Sequence, residues 1–381
     1  MNFSQINLDL QSTMKKIYAS LLYRSSSMNL ANRRYMEAAR TETAVIEVVK
    51  AKATPVNTRL NVELANSSNV ATPITPVLAT YDSVKVDLTE LRMDYSFMVS
   101  PVAMGSGLVG AIDDQLDLKD AEIANKIDTY NYNKLATGIT GPADGSLAYT
   151  QGQCFVWSPS TGEDIITNLN FLKALLFNRN IYDGFMLGLE SINYSFLVSG
   201  LTSVLKYETR VGVEGVDMGT IARAYGVEIF QINDNVLTNG EIGYFANEVG
   251  FVSDIFFSAF NQFQNYPGLP GYYVAEGNVF AGGAIIRPEA IIKLVDSLPV
   301  VSAGTFDAGT ANSSYTQTTA FSGTGSVSFV GEGLPAGLSL NESTGAVTGT
   351  PTTAGSYDVS IYGVDINGNY SNAYTGTIVI S

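Results

Sequence analysis

The chain has 381 residues, room for two or three domains with a substantial core, and a net charge of −15. It has no histidine and one cysteine, Cys154. That excludes Ser-His-Asp and Cys-His chemistry, His-rich and Cys-cluster metal centres and an internal disulfide.

The charge is uneven along the chain. Residues 1–40 hold six basic groups (Lys15, Lys16, Arg24, Arg33, Arg34, Arg40) against two acidic ones (Asp9, Glu37). A basic arm on an acidic body suits a polyanion or an acidic neighbour, and equally a basic surface helix. Met1-Asn2-Phe3-Ser4-Gln5 lacks the basic-then-apolar start of an export signal, so cytoplasmic synthesis is expected. No apolar run approaches the roughly 20 residues of a bilayer span, so no membrane partner is expected.

Ala44-Val45-Ile46-Glu47-Val48-Val49 reads as a strand. Residues 50–82 follow with Pro55, Pro73 and Pro76 and patches of alternation such as Leu60-Asn61-Val62-Glu63-Leu64. Prolines confine such strands to edges, and this stretch predicts a long projecting β-hairpin. Val84, Val86 and Leu88 alternate with polar residues, as do Tyr95, Phe97 and Val99, so both stretches predict half-buried strands.

The clearest helix comes next. Val109, Ile112, Leu116, Ile123, Ile127 and Tyr130 recur at spacings of three, four and seven, between Gly105-Ser106-Gly107 and Gly138. Thirty residues would make a rod of about 45 Å. Residues 138–165 read as a Gly/Pro/Ser-rich loop. After it the pattern predicts a helix at Ile165–Phe177, a strand at Phe185–Leu189, a helix at Ile192–Leu205 and strands at Gly226–Ile232 and Tyr244–Val252. A short closing helix is expected at Ala290–Val295. Mixed α+β fits this region.

This order of parts, ending in Gly282-Gly283-Ala284-Ile285-Ile286-Arg287-Pro288-Glu289-Ala290, resembles the HK-ninety-seven-like major capsid proteins of tailed double-stranded DNA phages. The resemblance implies an N-terminal arm and first strand over 1–49 and an extended loop over 50–82. It implies a peripheral domain with a long spine helix over 83–138, and an axial domain with a closing peripheral segment over 139–298.

From Pro299 to Ser381 the composition changes. No Lys or Arg occurs, and Ser, Thr and Gly become dense. Period-two runs at Ser326–Val330, Tyr357–Val364 and Thr375–Ile380 alternate with turn residues, the pattern of a β-sandwich. Gly333-Leu334-Pro335-Ala336-Gly337-Leu338-Ser339-Leu340, Thr344-Gly345 and Gly349-Thr350-Pro351 resemble the bacterial and phage immunoglobulin-like family with the pattern GLPxGLxLxxxTGxxxGTPxxxGxY. The fold class expected is therefore α+β, a phage capsid fold followed by an Ig-like β-sandwich over 299–381.

Candidate chemistry is sparse. Asp113, Asp117 and Asp120 share one helix face by spacing, and a solvated or partner-facing acidic stripe is expected there ahead of a cation site. Asp365-Ile366-Asn367-Gly368-Asn369 begins like a calcium loop but has Tyr370 and Gly376 where that loop needs Gly and Glu. Asn367-Gly368 reads instead as a two-residue hairpin turn. Lys50, Lys52, Arg59, Arg33 and Arg34 are the candidate intersubunit residues, forming ordinary ion pairs by default. Some relatives in the resembled family crosslink a loop lysine to a neighbour's asparagine. No catalytic residue, cofactor or metal is expected, and no enzyme activity.

The resemblance implies a shell protein of the virion, assembled in the host cytoplasm. Its partners would be copies of itself in pentamers and hexamers, with the arm reaching a further neighbour. Portal, scaffold or decoration proteins and packaged DNA, bound without sequence specificity, would join them, with a host-surface glycan as a ligand for 299–381. An encapsulin-like nanocompartment and a secreted adhesin with an Ig-like tail stand as alternatives.

Overall fold

The structure is a computed structural model. It describes residues 19–21, 24–32, 34, 36, 45–51, 81–99, 109–139, 153–205, 213–217, 220–238, 240–265, 273–326 and 328–381. Helices and strands mix through the first three-quarters of the chain, and strands alone follow, in agreement with the expected α+β class.

Helical residues at 19–21 and 24 precede a five-residue helix, α1 (Ser26–Leu30). Strands β1 (Val45–Ala51) and β2 (Tyr81–Asp87) pair antiparallel from Val45↔Asp87 to Ala51↔Tyr81. Their alternation is real: Ile46, Val48 and Val86 turn inward with Leu88 against Val252 and Ile286, while Val45, Glu47 and Val49 face solvent. The projecting part of the expected loop, 52–80, lies outside the described residues.

Strand β3 (Leu91–Val99) leads to α2 (Val109–Gly138), thirty residues and about 45 Å long. The flanking Gly105-Ser106-Gly107 lies outside the described residues. Against α2 packs a three-stranded antiparallel sheet, ordered β10 (Phe251–Asn265), β11 (Tyr273–Ile285), β3. Ile123, Ala124 and Ile127 of the helix meet Met93, Ile255, Val279 and Ala281 of the sheet, together with Leu21 and Met28 from the arm.

The second layer is a seven-stranded sheet. It comprises β4 (Gln153–Val156), β5 (Phe185–Leu189), β6 (Val213–Asp217), β7 (Thr220–Ala224), β8 (Val227–Gln231), β9 (Glu241–Asn247) and β12 (Ile291–Val295), in the order β4-β12-β9-β5-β8-β7-β6. Helices α3 (Gly162–Phe177) and α4 (Ser191–Leu205) cover one face. Ile165, Leu169, Leu172 and Leu176 form the inner stripe of α3, and a capping box between Thr161 and Asp164 starts it. The other face receives the end of α2 through Tyr132, Leu135 and Ile139, against Met186, Tyr244, Ala246 and Ile291. Among the described residues no helix is long and apolar enough to cross a membrane.

Three expectations are corrected here. The closing helix at Ala290–Val295 is a 3-10 turn, Pro288–Ala290, followed by strand β12. All five residues of β12 are buried between two strands, so the apolar run carries no period by which strand and helix differ. The single strand at Tyr244–Val252 is two strands in different sheets, β9 and β10. A turn divides them, with Gly250 N–H donating to Asn247 O and Val249 N–H to Asn247 Oδ1. The loop at 138–165 contains β4, parallel to β12, whose register sets Cys154 beside Lys293.

From Val300 onward, eight strands surround one core: β13 (Val300–Ala303), β14 (Tyr315–Thr316), β15 (Ser322–Thr324), β16 (Ser328–Glu332), β17 (Leu338–Leu340), β18 (Val347–Gly349), β19 (Gly355–Val364) and β20 (Tyr374–Ile380). Val301, Tyr315, Phe321, Phe329, Val347, Val359, Ile361, Ile378 and Ile380 fill that core. The motif glycines have a backbone cause. Gly337 (φ +94°) and Gly349 (φ +144°) lie so close that a Cβ on Gly349 would stand 2.1 Å from Gly337 O, and one on Gly337 would stand 2.0 Å from Thr350 O.

Candidate functional site

The residues with the most consequential geometry lie along α2, which holds the arm, the hairpin root and the seven-stranded sheet.

The arm is held by Asp128. Ser25 stands at the N-cap of α1 but makes no side-chain cap of its own. Asp128, buried on the inner face of α2, caps the helix from outside. It accepts hydrogen bonds from Ser26 N–H (3.0 Å), Ser27 N–H (2.9 Å), Ser25 Oγ (2.6 Å) and Ser26 Oγ (2.9 Å). A carboxylate over the first amides of a helix satisfies groups that otherwise have no partner. Tyr132 Oη lies 3.1 Å from Ser26 Oγ, and burial, with the Asp128 charge beside it, holds the Tyr132 hydroxyl far above its usual range. Asn131 Nδ2 donates to Ser27 Oγ and to Ser253 Oγ, tying helix, arm and β10 together. The arm then runs beside β10, with Ala31 bridging Phe251 and Asn32 N–H donating to Phe251 O at 2.8 Å. Residues 25–31 thus pack into the subunit's own core.

The hairpin root is held one turn away. Glu90, in the turn between β2 and β3, accepts hydrogen bonds from Tyr130 Oη and Lys134 Nζ. Lys134 also donates to Gly283 O at 2.7 Å and lies over the Tyr130 ring. The Lys134 hydrogen bond, then that of Tyr130, holds the Glu90 carboxyl below its usual range, and burial pushes the Tyr130 hydroxyl up. Gly282 of β11 touches the same root: a Cβ there would stand 2.1 Å from Asp87 O, which is backbone and cannot step aside. Gly282→Ala is expected to displace the root and lower stability by at least about 2 kcal/mol, read as a lower urea midpoint; an unchanged midpoint would refute the tight contact.

Of the candidate intersubunit residues, Arg34 is exposed, and its N–H donates to Asn32 Oδ1. Lys50 sits on β1 opposite Asp82. Arg33, Lys52 and Arg59 lie outside the described residues. Asp113, Asp117 and Asp120 share α2, but Asp120 is buried, which corrects the solvated stripe at that position. Among the described residues no group of three His, Cys, Asp or Glu side chains could hold a metal ion.

The Asp365 carboxylate is used up inside its own turn. It accepts from Asn367 N–H, Asn369 N–H and Asn369 Nδ2. Asp365 N–H donates to Asn369 O, Gly368 N–H donates to Asp365 O, and Gly368 has φ +79°. That is a three-residue loop with glycine in the left-handed position, in place of the two-residue turn expected. Cys154 is buried, as expected of a lone structural cysteine, and burial pushes its thiol up to about 12.

Sequence reasoning missed Asp128, Glu90 and a buried pair, Lys293 Nζ and Glu241 Oε1, 3.8 Å apart. For Asp128 one signal was available: it falls on the apolar stripe of Ala124, Ile127 and Leu135, where an acid needs a buried partner.

Residues 295–381 match the family model described as "Putative Ig domain". The C-terminal segment is an Ig-like module. Among the solved structures to which the chain is similar are three from phages. One is from Mycobacterium phage Che8 (15% identity, 71% of this chain and 90% of that chain, TM-score 0.47). Another is titled a capsid structure of the cyanophage P-SCSP1u (12%, 68% and 84%, 0.47). The third is titled the asymmetric unit of the bacteriophage PhiM1 mature capsid (10%, 68% and 83%, 0.45). No curated protein matches the chain.

Proposed function

We propose that this chain is the major capsid protein of a tailed double-stranded DNA phage, carrying an Ig-like module on the outside of the shell. The observation that carries this reading is the single thirty-residue helix that holds an arm segment, the root of an antiparallel hairpin and one face of an α/β sheet. Together with the order of parts, this supports the division into arm and first strand (1–49), extended loop (50–82), peripheral domain (83–138), axial domain (139–298) and Ig-like sandwich (299–381). The function is geometric. Copies meet as pentamers and hexamers, and many weak contacts repeated by symmetry close a shell. A portal, a scaffold or decoration proteins complete the particle in the host cytoplasm. Packaged DNA lies inside the shell without sequence-specific contact.

The sandwich acts as a brace or decoration in this reading. Its Tyr315 and Tyr362 are buried and Tyr357, Tyr370 and Tyr374 half-buried, with Tyr357 Oη bonded to Thr353 O and Tyr315 Oη to Asp307 O. Two of those rings are spent inside the module and three are partly covered, which favours a brace over stacking on a glycan.

Light scattering after size exclusion, with negative-stain microscopy, tests the assembly. Purified full-length protein is expected to form closed or tubular shells of uniform width. A monodisperse monomer at high concentration would overturn the reading.

A further inference from the structure

The connector between the axial sheet and the sandwich is short. Strand β12 ends at Val295, β13 begins at Val300, and Asp296 N–H donates to Gly240 O at 3.1 Å. A second contact forms far along the chain, at the Asp365–Asn369 turn joining β19 to β20. Asn369 is 2% exposed, although it belongs to a hairpin turn of a surface module. Its Oδ1 accepts the Cys154 thiol at 3.6 Å, and Cys154 lies on β4, the edge of the seven-stranded sheet. Next to it, the Asn367 amide stands 3.7 Å from where a Cβ on Gly240 would be, at the start of β9. The turn is rigid, since Asp365 fixes Asn367 and Asn369 through three hydrogen bonds. Ile366, between Asp365 and Asn367, is 86% exposed and so lies outside the contact. A cavity of about 240 Å³ lies beside the connector, lined by Leu298, Pro299, Thr324 and Asp365 among others. The sandwich is thus held at the connector, where Asp296 and Asn367 both approach Gly240, and again where Asn369 meets Cys154.

We propose that the Asp365–Asn369 turn is a latch that locks the Ig-like module onto the edge of the axial sheet, so that the two move as one body. A lone connector would leave the module free to pivot, because inter-domain motion is the default where the shared surface is small. A second, rigid contact removes that pivot. The module then projects from the sheet at a set angle and can brace what lies next to it. The latch depends on contacts within one chain and stands or falls separately from the shell reading.

Cys154, the sole cysteine, is the reporter. Full-length protein, the Asn369→Ala variant and the Ile366→Ala control are treated under native conditions with a thiol-labelling reagent and, separately, with proteinase K. In the parent chain Cys154 is expected to label slowly and the connector to resist cleavage. Asn369→Ala is expected to raise the labelling rate about tenfold or more. Proteolysis of that variant should cut near residues 296–300 and release an intact sandwich. Ile366→Ala should behave as the parent. Rapid native labelling of the parent, or no change in Asn369→Ala, would overturn the latch. So would degradation of the sandwich itself in that variant, because Asn369 would then serve the module's interior rather than its docking.

Discussion

Replacing Asp128 by alanine detaches the arm segment from the long helix. The carboxylate serves two backbone amides and two hydroxyls, all in a buried site. Its removal leaves several donors without partners, and each unsatisfied buried group costs about 1–3 kcal/mol. A loss of about 3 kcal/mol or more is expected. The local reading is sharper than the global one. In hydrogen exchange of the full chain, protection of the Ser26 and Ser27 amides should fall by about a hundredfold, matching roughly 3 kcal/mol at 1.4 kcal/mol per decade. Protection in β5 and β9 should change far less. The Asp128→Asn variant should fall between the parent and the alanine variant, since an amide retains one acceptor oxygen but turns a donor toward the serines. Unchanged protection at Ser26 and Ser27 in the alanine variant would show that the arm is held by its apolar contacts, Met28 and Leu30, and that the carboxylate is incidental.

Elements whose pattern is local are legible in the sequence alone. The long helix, α3, β5, α4 and β8 read to within a few residues of their observed bounds, because each has a clear period or a short apolar run between turn residues. The Ig-like tail is legible because backbone packing at Gly337 and Gly349 tolerates no side chain, so the motif is written in glycine. Failures come where burial erases the pattern. Strand β12 is buried along its whole length and reads as a helix. Strand β4 is four residues long and gains its place from a parallel partner almost 140 positions away, which no local window contains. The anchors are hidden for a related reason. Asp128 and Ser25 are 103 residues apart, and Glu90 and Lys134 are 44 apart. Only the position of Asp128 within an apolar stripe gives a sign, and it names no partner. The candidate basic residues fare differently. They stand out by charge, and charge on an arm or loop is the weakest guide to a contact, since exposed ion pairs contribute at most about 1 kcal/mol.

Lys293 poses the largest test of how the long helix is joined to the axial sheet. It is the one charged residue in Ile291-Ile292-Lys293-Leu294-Val295 and is fully buried. Its ammonium donates to Ala136 O at 3.1 Å, a carbonyl in the last turn of α2, and lies 3.8 Å from Glu241 Oε1. Glu241 in turn accepts from Thr238 N–H and Tyr244 Oη. A cation is well placed there, because the carbonyls at a helix end lack partners and carry partial negative charge. Lys293→Met removes one member and leaves a buried carboxylate, so a loss of about 3–5 kcal/mol is expected. Glu241→Gln leaves a buried ammonium and should also destabilise, less steeply if Gln keeps the Thr238 and Tyr244 bonds. The double variant Lys293→Met/Glu241→Gln removes both charges and should recover most of the loss, since a buried pair replaced as a pair is often near neutral. Urea midpoints of the four proteins measure the coupling, which should be favourable by more than about 1 kcal/mol. Strictly additive losses would mean that the two charges do not act on each other. Lys293 would then hold the sheet to the helix through Ala136 alone, and the double variant would be the least stable of the four.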